Sequence, residues 1–304
     1  MDRIVLVTKP TRFEELVRQH LTEGAARFSL ESHGQSIDAY ELENDIYRKA
    51  LAEIRKGLPS DVPVTTLRRE DIPNFLFRDT DLIVVCGPDG LFVNLAKYVG
   101  NQLIIAVNPD PHRVSGALML FRPDQVAGLI KNVQAGTHRI EKLPLAKATI
   151  DDDRVIWAVN DIFIGRRDHV SARYELSLHG STERHSSSGI IVSTGVGSTG
   201  WISSIIAMIS GLTSPGTPHE LMVLPEPTDD QLVFVVREPF KTPVTGTSHI
   251  TGRINPEEPL TVVSEMPDGG YIFSDGVVED ALEWNAGSTV VVTIGDRYVE
   301  RVIG

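Results

Sequence analysis

Gly189-Ile-Ile-Val-Ser-Thr-Gly-Val-Gly-Ser-Thr-Gly-Trp201 is the stretch from which the chain is best read. The short apolar run Ile190 to Val192 predicts a buried strand, closed by Ser193 and Thr194. Glycines follow at 195, 197 and 200, and Trp201 to Ile209 predicts an apolar helix. Strand, glycine-rich turn and helix start suit an anion, because glycine lets the backbone approach a ligand and the first helical turn has unpaired N–H groups. Ser198 and Thr199 can cap that helix or offer hydroxyls to a ligand. The three glycines also match the dinucleotide fingerprint G-x-G-x-x-G, which requires an acid about 20 residues on, after a second strand. Glu226, after Leu221 to Leu224, is a late and imperfect candidate. An ordinary strand–turn–helix corner is the other reading of the same glycines.

Upstream, strands and helices alternate. Arg3 to Thr8 reads as a first strand, Arg12 to His20 as an amphipathic helix with Phe13, Leu16, Val17 and Leu21 on one face, and Tyr40 to Ile54 as a second helix. Val62 to Leu67 is a weak strand that Pro63 assigns to an edge. Asp81 to Cys86 and Gln102 to Val107 are continuous apolar runs, the pattern of parallel strands buried on both faces. The helix Leu91 to Val99 lies between them. Pro123 to Gln134 is expected as one more helix. From about Leu143 the pattern changes to short strands: Val155–Val159, Asp161–Ile164, Tyr174–Leu178, Leu232–Val236, Leu260–Ser264, Gly270–Ser274 and Ser288–Ile294. Leu212 to Glu220 is expected as a loop. The fold class is an α/β N-terminal domain, a parallel sheet with flanking helices, plus a β-rich C-terminal domain. The boundaries are 1–120 and 121–289, with the tail from about 290 to 304 able to rejoin the first domain.

The chain has 304 residues, long enough for two domains. Its net charge of -12 argues against nucleic-acid partners, so an anionic ligand needs a local basic pocket. The single cysteine, Cys86, excludes an intramolecular disulfide and a cysteine-cluster zinc site. No apolar run approaches the roughly 18 residues of a membrane helix, and no secretory signal pattern opens the chain. A cytoplasmic protein without membrane partners is expected. The histidines lack ligand spacing.

Three further motifs carry chemistry. Cys86-Gly87-Pro88-Asp89-Gly90-Leu91 ends a buried parallel strand, which places the Asp89 carboxylate at the edge where such sheets bind ligands. A plain turn with proline at its second position is the competing reading. Asn160-Asp161 interrupts a strand pattern, and its amide and carboxylate suit a ribose or an adenine edge. Arg166, Arg167 and Arg173 follow, either as a phosphate clamp or as a solvated strand face. Phe273-Ser274-Asp275-Gly276 reads as a hairpin turn.

In this order and spacing, Gly87-Pro88-Asp89-Gly90, Asn160-Asp161, Gly195-Val196-Gly197-Ser198-Thr199-Gly200-Trp201 and Ser274-Asp275-Gly276 resemble the motifs of the NAD kinase family. Val107-Asn108-Pro109-Asp110-Pro111-His112-Arg113 and Ser187-Ser188-Gly189 look most like the divergent branch that contains the mitochondrial NAD kinases of animals. The resemblance covers roughly residues 80 to 280. It implies a two-domain NAD kinase-like fold and transfer of the terminal phosphoryl of ATP to the 2′-hydroxyl of the adenosine ribose of NAD, with Mg²⁺, giving NADP. It implies Asp89 as general base or hydroxyl-orienting group, and Asn160, Asp161, Ser198, Thr199 and Trp201 as substrate-binding residues. Gly87, Gly90, Gly195 and Gly197 would admit phosphates, and the metal ligands stay open. A homodimer or homotetramer is implied as well. Pro88, Leu91, Val196 and Gly200 depart from the family's common residues and bear on the donor and the acceptor. The alternatives are a kinase of the same superfamily acting on a sugar or lipid hydroxyl, and a non-catalytic dinucleotide-binding protein. No G-x-x-x-x-G-K-[ST] sequence is present, so a Walker A ATPase is not supported.

Overall fold

A computed structural model describes residues 1–151, 153–212 and 224–304. The chain divides into two compact units, Met1–Glu141 with Val299–Gly304, and Lys142–Tyr298. The crossing thus falls between Glu141 and Lys142, beyond the expected boundary near 120, and the last residues return to the first unit.

In the first unit the strands β1 (Arg3–Thr8), β2 (Val64–Arg68), β3 (Asp81–Cys86) and β4 (Leu103–Val107) pair in parallel in the order β2-β1-β3-β4. The continuous apolar runs are buried throughout in β3 and nearly so in β1 and β4, because helices pack on both faces of such a sheet. β2 is the edge strand, where Pro63 does no harm. The helices are α1 (Arg12–His20), α2 (Glu23–Ser32), α3 (Asp38–Gly57), α4 (Asp89–Ala96) and α5 (Val126–Ala135). Thr11 caps α1 in a reciprocal box with Glu14. Leu21 does not share the inner face of α1: it is the left-handed C-cap residue and 87% exposed. In α3 the buried positions are Asn44, Tyr47, Ala50 and Ile54, while Leu42 is exposed. α2 has a weak periodic pattern and was not expected.

The second unit is built of antiparallel strands. β7 (Asp161–Arg166), β10 (Ile190–Ser193), β11 (Leu232–Val236), β12 (Thr251–Ile254), β14 (Gly270–Ser274) and β15 (Val277–Glu283) form one sheet, in the order β12-β11-β10-β7-β14-β15. β8 (Ala172–Leu178) pairs with β9 (Ser181–Ser187) and with β13 (Leu260–Ser264), and β5 (Ile140–Ile150) pairs with β6 (Val155–Ala158). β16 (Thr289–Val302) pairs with β13 in this unit and, through Glu300 and Arg301, with β4 in the first. Alternation decides the faces of the six-stranded sheet. Ile162, Ile164, Ile190, Val192 and Phe234 enter the main core with Tyr174 and Trp284. Phe163, Ile191 and Val235 point the other way, where Trp201 and Ile205 of α6 (Trp201–Leu212) pack on them.

Four strands, β5, β9, β12 and β15, were not expected. β9 (Ser-Thr-Glu-Arg-His-Ser-Ser) and β15 carry polar residues that mask the period-2 signal. The expected loop Leu212–Glu220 lies outside the described residues apart from Leu212, the last residue of α6. Among the described residues no helix is long and apolar enough to cross a membrane.

Candidate functional site

In the first unit, β1 is flanked by β2 on one side and β3 on the other, so the strand order reverses between β1 and β3. The crevice outside the carboxyl ends of strands at such a switch point is where open α/β sheets bind ligands. A cavity of about 260 Å³ lies there, lined by Lys9, Pro10, Tyr47, Gly87, Pro88 and Asn108 among others. Tyr47 braces it: its hydroxyl donates to Cys86 O at 2.9 Å and accepts from Lys9 N at 3.1 Å. Burial pushes the phenol well above its ordinary range, so it stays a neutral donor.

Pro88 is the N-cap of α4 and Asp89 its first residue. Proline fits because the first helical positions need no N–H, and an acid there complements the helix dipole. The turn reading of Pro88 thus gives way to a helix start. The Asp89 carboxylate accepts from Ala117 N at 2.9 Å and from Leu118 N at 3.1 Å. Asn108 shapes the same segment, donating to Val114 O at 2.8 Å and accepting from Asp110 N at 2.9 Å, while Asp110 pairs with Arg113 at 3.1 Å. Asp89 and Asn108 therefore fix the fold of residues 108–118 as well as facing the sheet edge. Gly87 is buried, and Gly90 is exposed with open space on its side-chain face.

In the second unit, Asn160 and Asp161 open β7, and Asp161 lies opposite Ser193, where the glycine-rich loop leaves β10. The loop is sewn onto the pair. Thr194 N donates to Asn160 O at 2.9 Å, Gly197 N donates to the Thr194 hydroxyl at 3.1 Å, and that hydroxyl donates to Val159 O. Asp275 completes the frame. It sits with Gly276 in a left-handed hairpin turn, and its carboxylate accepts from the backbone N–H groups of Val159 at 3.0 Å, Asn160 at 2.7 Å and Asp161 at 3.3 Å. Asp-Gly signals a hairpin in sequence; that its carboxylate holds a chain more than a hundred residues away is a tertiary fact the sequence does not carry.

The Asn160 amide and the Asp161 carboxylate accept and donate no side-chain hydrogen bond among the described residues, although Asp161 is only 8% exposed. Burial first, and the charge of Asp275 second, push the Asp161 carboxyl up to about 7. A buried acceptor without a partner, titrating near neutrality beside a free amide, is a place for ligand hydroxyls or amines.

Two glycines have a tighter role than admitting an anion. A side chain at Gly195 would lie 1.8 Å from Glu226 O, and one at Gly197 would lie 2.2 Å from Asn160 O. Close backbone approach accounts for both. Ser198 donates to Pro225 O at 2.9 Å instead of capping a helix, and Thr199 is exposed. A 3₁₀ turn, Val196–Thr199, stands between strand and helix. Trp201 stacks on Phe163 at 5.7 Å, with Phe273 6.4 Å away, and the Arg237 guanidinium lies 5.3 Å over its ring. Arg166 is tied to Asp168 and Asp268, so it is no free phosphate clamp. β10 pairs antiparallel with both β7 and β11, which rules out a Rossmann unit at the G-x-G-x-x-G match. Arg237 is a part of these surroundings that sequence reading did not single out.

No family model matches the chain. It is similar to the NAD kinase of Bacteroides fragilis, 26% identical over 184 residues, 57% of this chain and 63% of that protein. The chain thus spans less than two thirds of that relative. It is also similar to mitochondrial NAD kinase 2 of Homo sapiens, 23% identical over 91% of this chain and 80% of the relative. Among solved structures, yeast NADH kinase complexed with NADH superimposes with a TM-score of 0.61 at 15% identity, covering 99% of this chain and 83% of that one. An NAD kinase from Archaeoglobus fulgidus in complex with ATP does so at 0.59 and 17%, covering 99% and 93%. An α/β unit with a parallel sheet, followed by an antiparallel β-rich unit, is the fold that the chain shares with these two kinases. The resemblance read from the motifs holds, and it extends to the mitochondrial NAD kinase 2 branch.

Proposed function

We propose that the protein is an NAD kinase-like phosphotransferase, moving the terminal phosphoryl of ATP to the 2′-hydroxyl of the adenosine ribose of NAD to give NADP. The observation that carries the reading is the Asn160–Asp161 pair. A free amide and a buried, unpartnered carboxylate, held rigid by Asp275 and by the Thr194–Gly197 loop, suit the hydroxyls and adenine edge of a dinucleotide. The likeness to NAD kinases supports the same ligand. In this reading Asp89 orients or deprotonates the attacking hydroxyl. Ser198, Thr199 and Trp201 border the adenosine, and Gly90 leaves room for phosphates, whereas the side-chain face of Gly87 is filled by Leu91, 2.8 Å from where a Cβ would stand. Gly195 and Gly197 act through the backbone shape of their loop. The cavity at Gly87–Pro88 takes part of the ATP. Phosphoryl transfer asks the protein mainly for positioning and charge stabilisation, which such pieces supply.

Mg²⁺ enters as part of the ATP substrate. Among the described residues no group of three histidine, cysteine, aspartate or glutamate side chains is arranged to hold a metal. Mg²⁺ with ATP is commonly carried mainly on phosphate oxygens. A homodimer or homotetramer belongs to the reading too: α6 is rich in apolar residues, yet Ile202 is its one buried residue and Met208 is 53% exposed. The acidic, cysteine-poor composition keeps the cytoplasm as the compartment of this reading.

The test is product analysis of purified protein with NAD, ATP and Mg²⁺, beside Asp89→Asn. NADP from the wild type, reduced about 10²–10⁴-fold in the variant, is expected for a positioned base or orienting group. Because Asp89 also holds residues 117 and 118, the variant's melting temperature is measured alongside. Dinucleotide binding without NADP formation would overturn the kinase reading.

A further inference from the structure

A second cleft of about 530 Å³ opens in the first unit at the carboxyl ends of β1 and β2, on the β2 side of the switch-point crevice and adjoining it. Lys9, Arg18, Arg48, Arg55 and Arg68 line it, against one carboxylate, Glu14. The chain as a whole carries 41 acidic and 29 basic residues, so five cations to one acid is a local reversal of its charge.

Glu14 cannot neutralise this group. It lies 3.5 Å from Arg48 alone among the five, and its other carboxylate oxygen accepts from Thr11 N. Arg68 has Glu70 at 3.9 Å, a loose exposed pair. Lys9, Arg18 and Arg55 have no carboxylate within ion-pairing distance among the described residues. The cations come from separate elements. Lys9 follows β1, Arg18 is in the last turn of α1, Arg48 and Arg55 are two turns apart on α3, and Arg68 ends β2. Like charges gathered from four elements repel one another in the empty cleft, and a multiply charged anion relieves that repulsion. Thr66 also lines the cleft and its hydroxyl can donate to an anion, whereas the Thr8 hydroxyl donates to Leu67 O at 3.4 Å.

We propose that this cleft, which adjoins the crevice beside Gly87 and Pro88, is a binding site for an oligophosphate anion. Guanidinium forks match phosphate oxygens in pairs, and four arginines with one lysine suit a ligand of several charges over a single carboxylate. Lys9, Pro10 and Tyr47 line both cavities, so the anion is either the phosphate tail of a nucleotide reaching over from the crevice or a separate phosphorylated molecule. The site stands on its own geometry and does not rest on the kinase reading.

The probe is inorganic tripolyphosphate, titrated calorimetrically into the full chain and into Arg18→Ala/Arg55→Ala. Both side chains are exposed and unpaired, so the variant keeps the fold, which its unchanged melting temperature confirms. The expected result is saturable binding that weakens with salt and falls about tenfold or more in the double variant. A tripolyphosphate affinity that is equal in the two proteins, or absent in the wild type, overturns the proposal. Repeating the titration with saturating ATP separates the two sources. Competition assigns the cleft to the nucleotide's own phosphates, and undiminished binding assigns it to a separate phosphorylated ligand. Because the readout is binding, it stays informative whether or not the protein forms NADP.

Discussion

Asp161 shows how one residue's position becomes a measurable property. Its carboxyl is pushed up to about 7 by burial and by Asp275, whereas in the unfolded chain it titrates near 4. The native state therefore holds a proton that the unfolded state has released between those values, and stability falls as pH rises from about 4 to about 7. Asp161→Asn removes the titrating group. At pH 7.5 the variant is expected to gain stability on the order of 2 kcal/mol, and to lose that advantage by pH 4. Denaturant midpoints of both proteins across this range decide it; a constant difference would show that Asp161 titrates normally. The gain in stability comes with a loss of function. Ligand hydroxyls bind best to the ionised carboxylate, so wild-type affinity for adenosine should rise through pH 7, and the variant's should not. The sequence shows the Asn-Asp pair and its strand setting. It does not show the burial, because the residues that enclose Asp161 come from β10 and from the Asp275 turn.

The glycine-rich loop teaches the same lesson at the scale of an element. Its place between a buried strand and an apolar helix was legible, since Ile190–Ser193 and Trp201–Leu212 follow from hydrophobic runs bounded by glycine. The reason for two of the glycines was not. Gly195 and Gly197 face Glu226 O and Asn160 O, partners brought in by long-range antiparallel pairing. Gly197→Ala is expected to destabilise the protein by about 3 kcal/mol or more, since the contact is with backbone that cannot move aside cheaply. Gly90 is the contrast: an added methyl meets nothing within 4 Å, and alanine favours the first turn of α4. Gly90→Ala should leave the melting temperature unchanged or raise it slightly, by up to about 1 kcal/mol in stability. If phosphates pass close to this backbone, the same variant loses activity. Thermal melts paired with NADP assays of the two alanine variants separate a packing glycine from a ligand glycine. Equal destabilisation in both would remove the distinction.

At the scale of the molecule, the first unit is discontinuous: residues 1–141 are completed by Val299–Gly304. The tail supplies more than a strand edge. Glu300 and Arg301 pair in parallel with β4, and Val299 and Val302 are buried. Arg301 is 5% exposed, forms an ion pair with Glu141 and donates to Leu118 O at 2.8 Å, in the segment that Asp89 also holds. Burying the two valines contributes about 1.5–3 kcal/mol each, and losing the charge-assisted hydrogen bonds between Arg301 and the part-buried Glu141 costs about 1.5–3 kcal/mol. Those amounts rival the whole stability of a domain, about 5–15 kcal/mol. Deleting Val299–Gly304 from the full chain is therefore expected to unfold the first unit or lower its melting temperature by well over 10 °C, while the second unit keeps its β-rich circular dichroism. The substitution Arg301→Ala should produce an intermediate loss and loosen residues 117 and 118, seen as faster amide exchange there. A truncated protein that melts like the full chain would mean that β4 closes the sheet unaided. The order of elements explains why the tail is needed. A parallel strand can join β4 only after a long crossover, and here that crossover is the entire second unit, so the first cannot be completed until the second has been traversed.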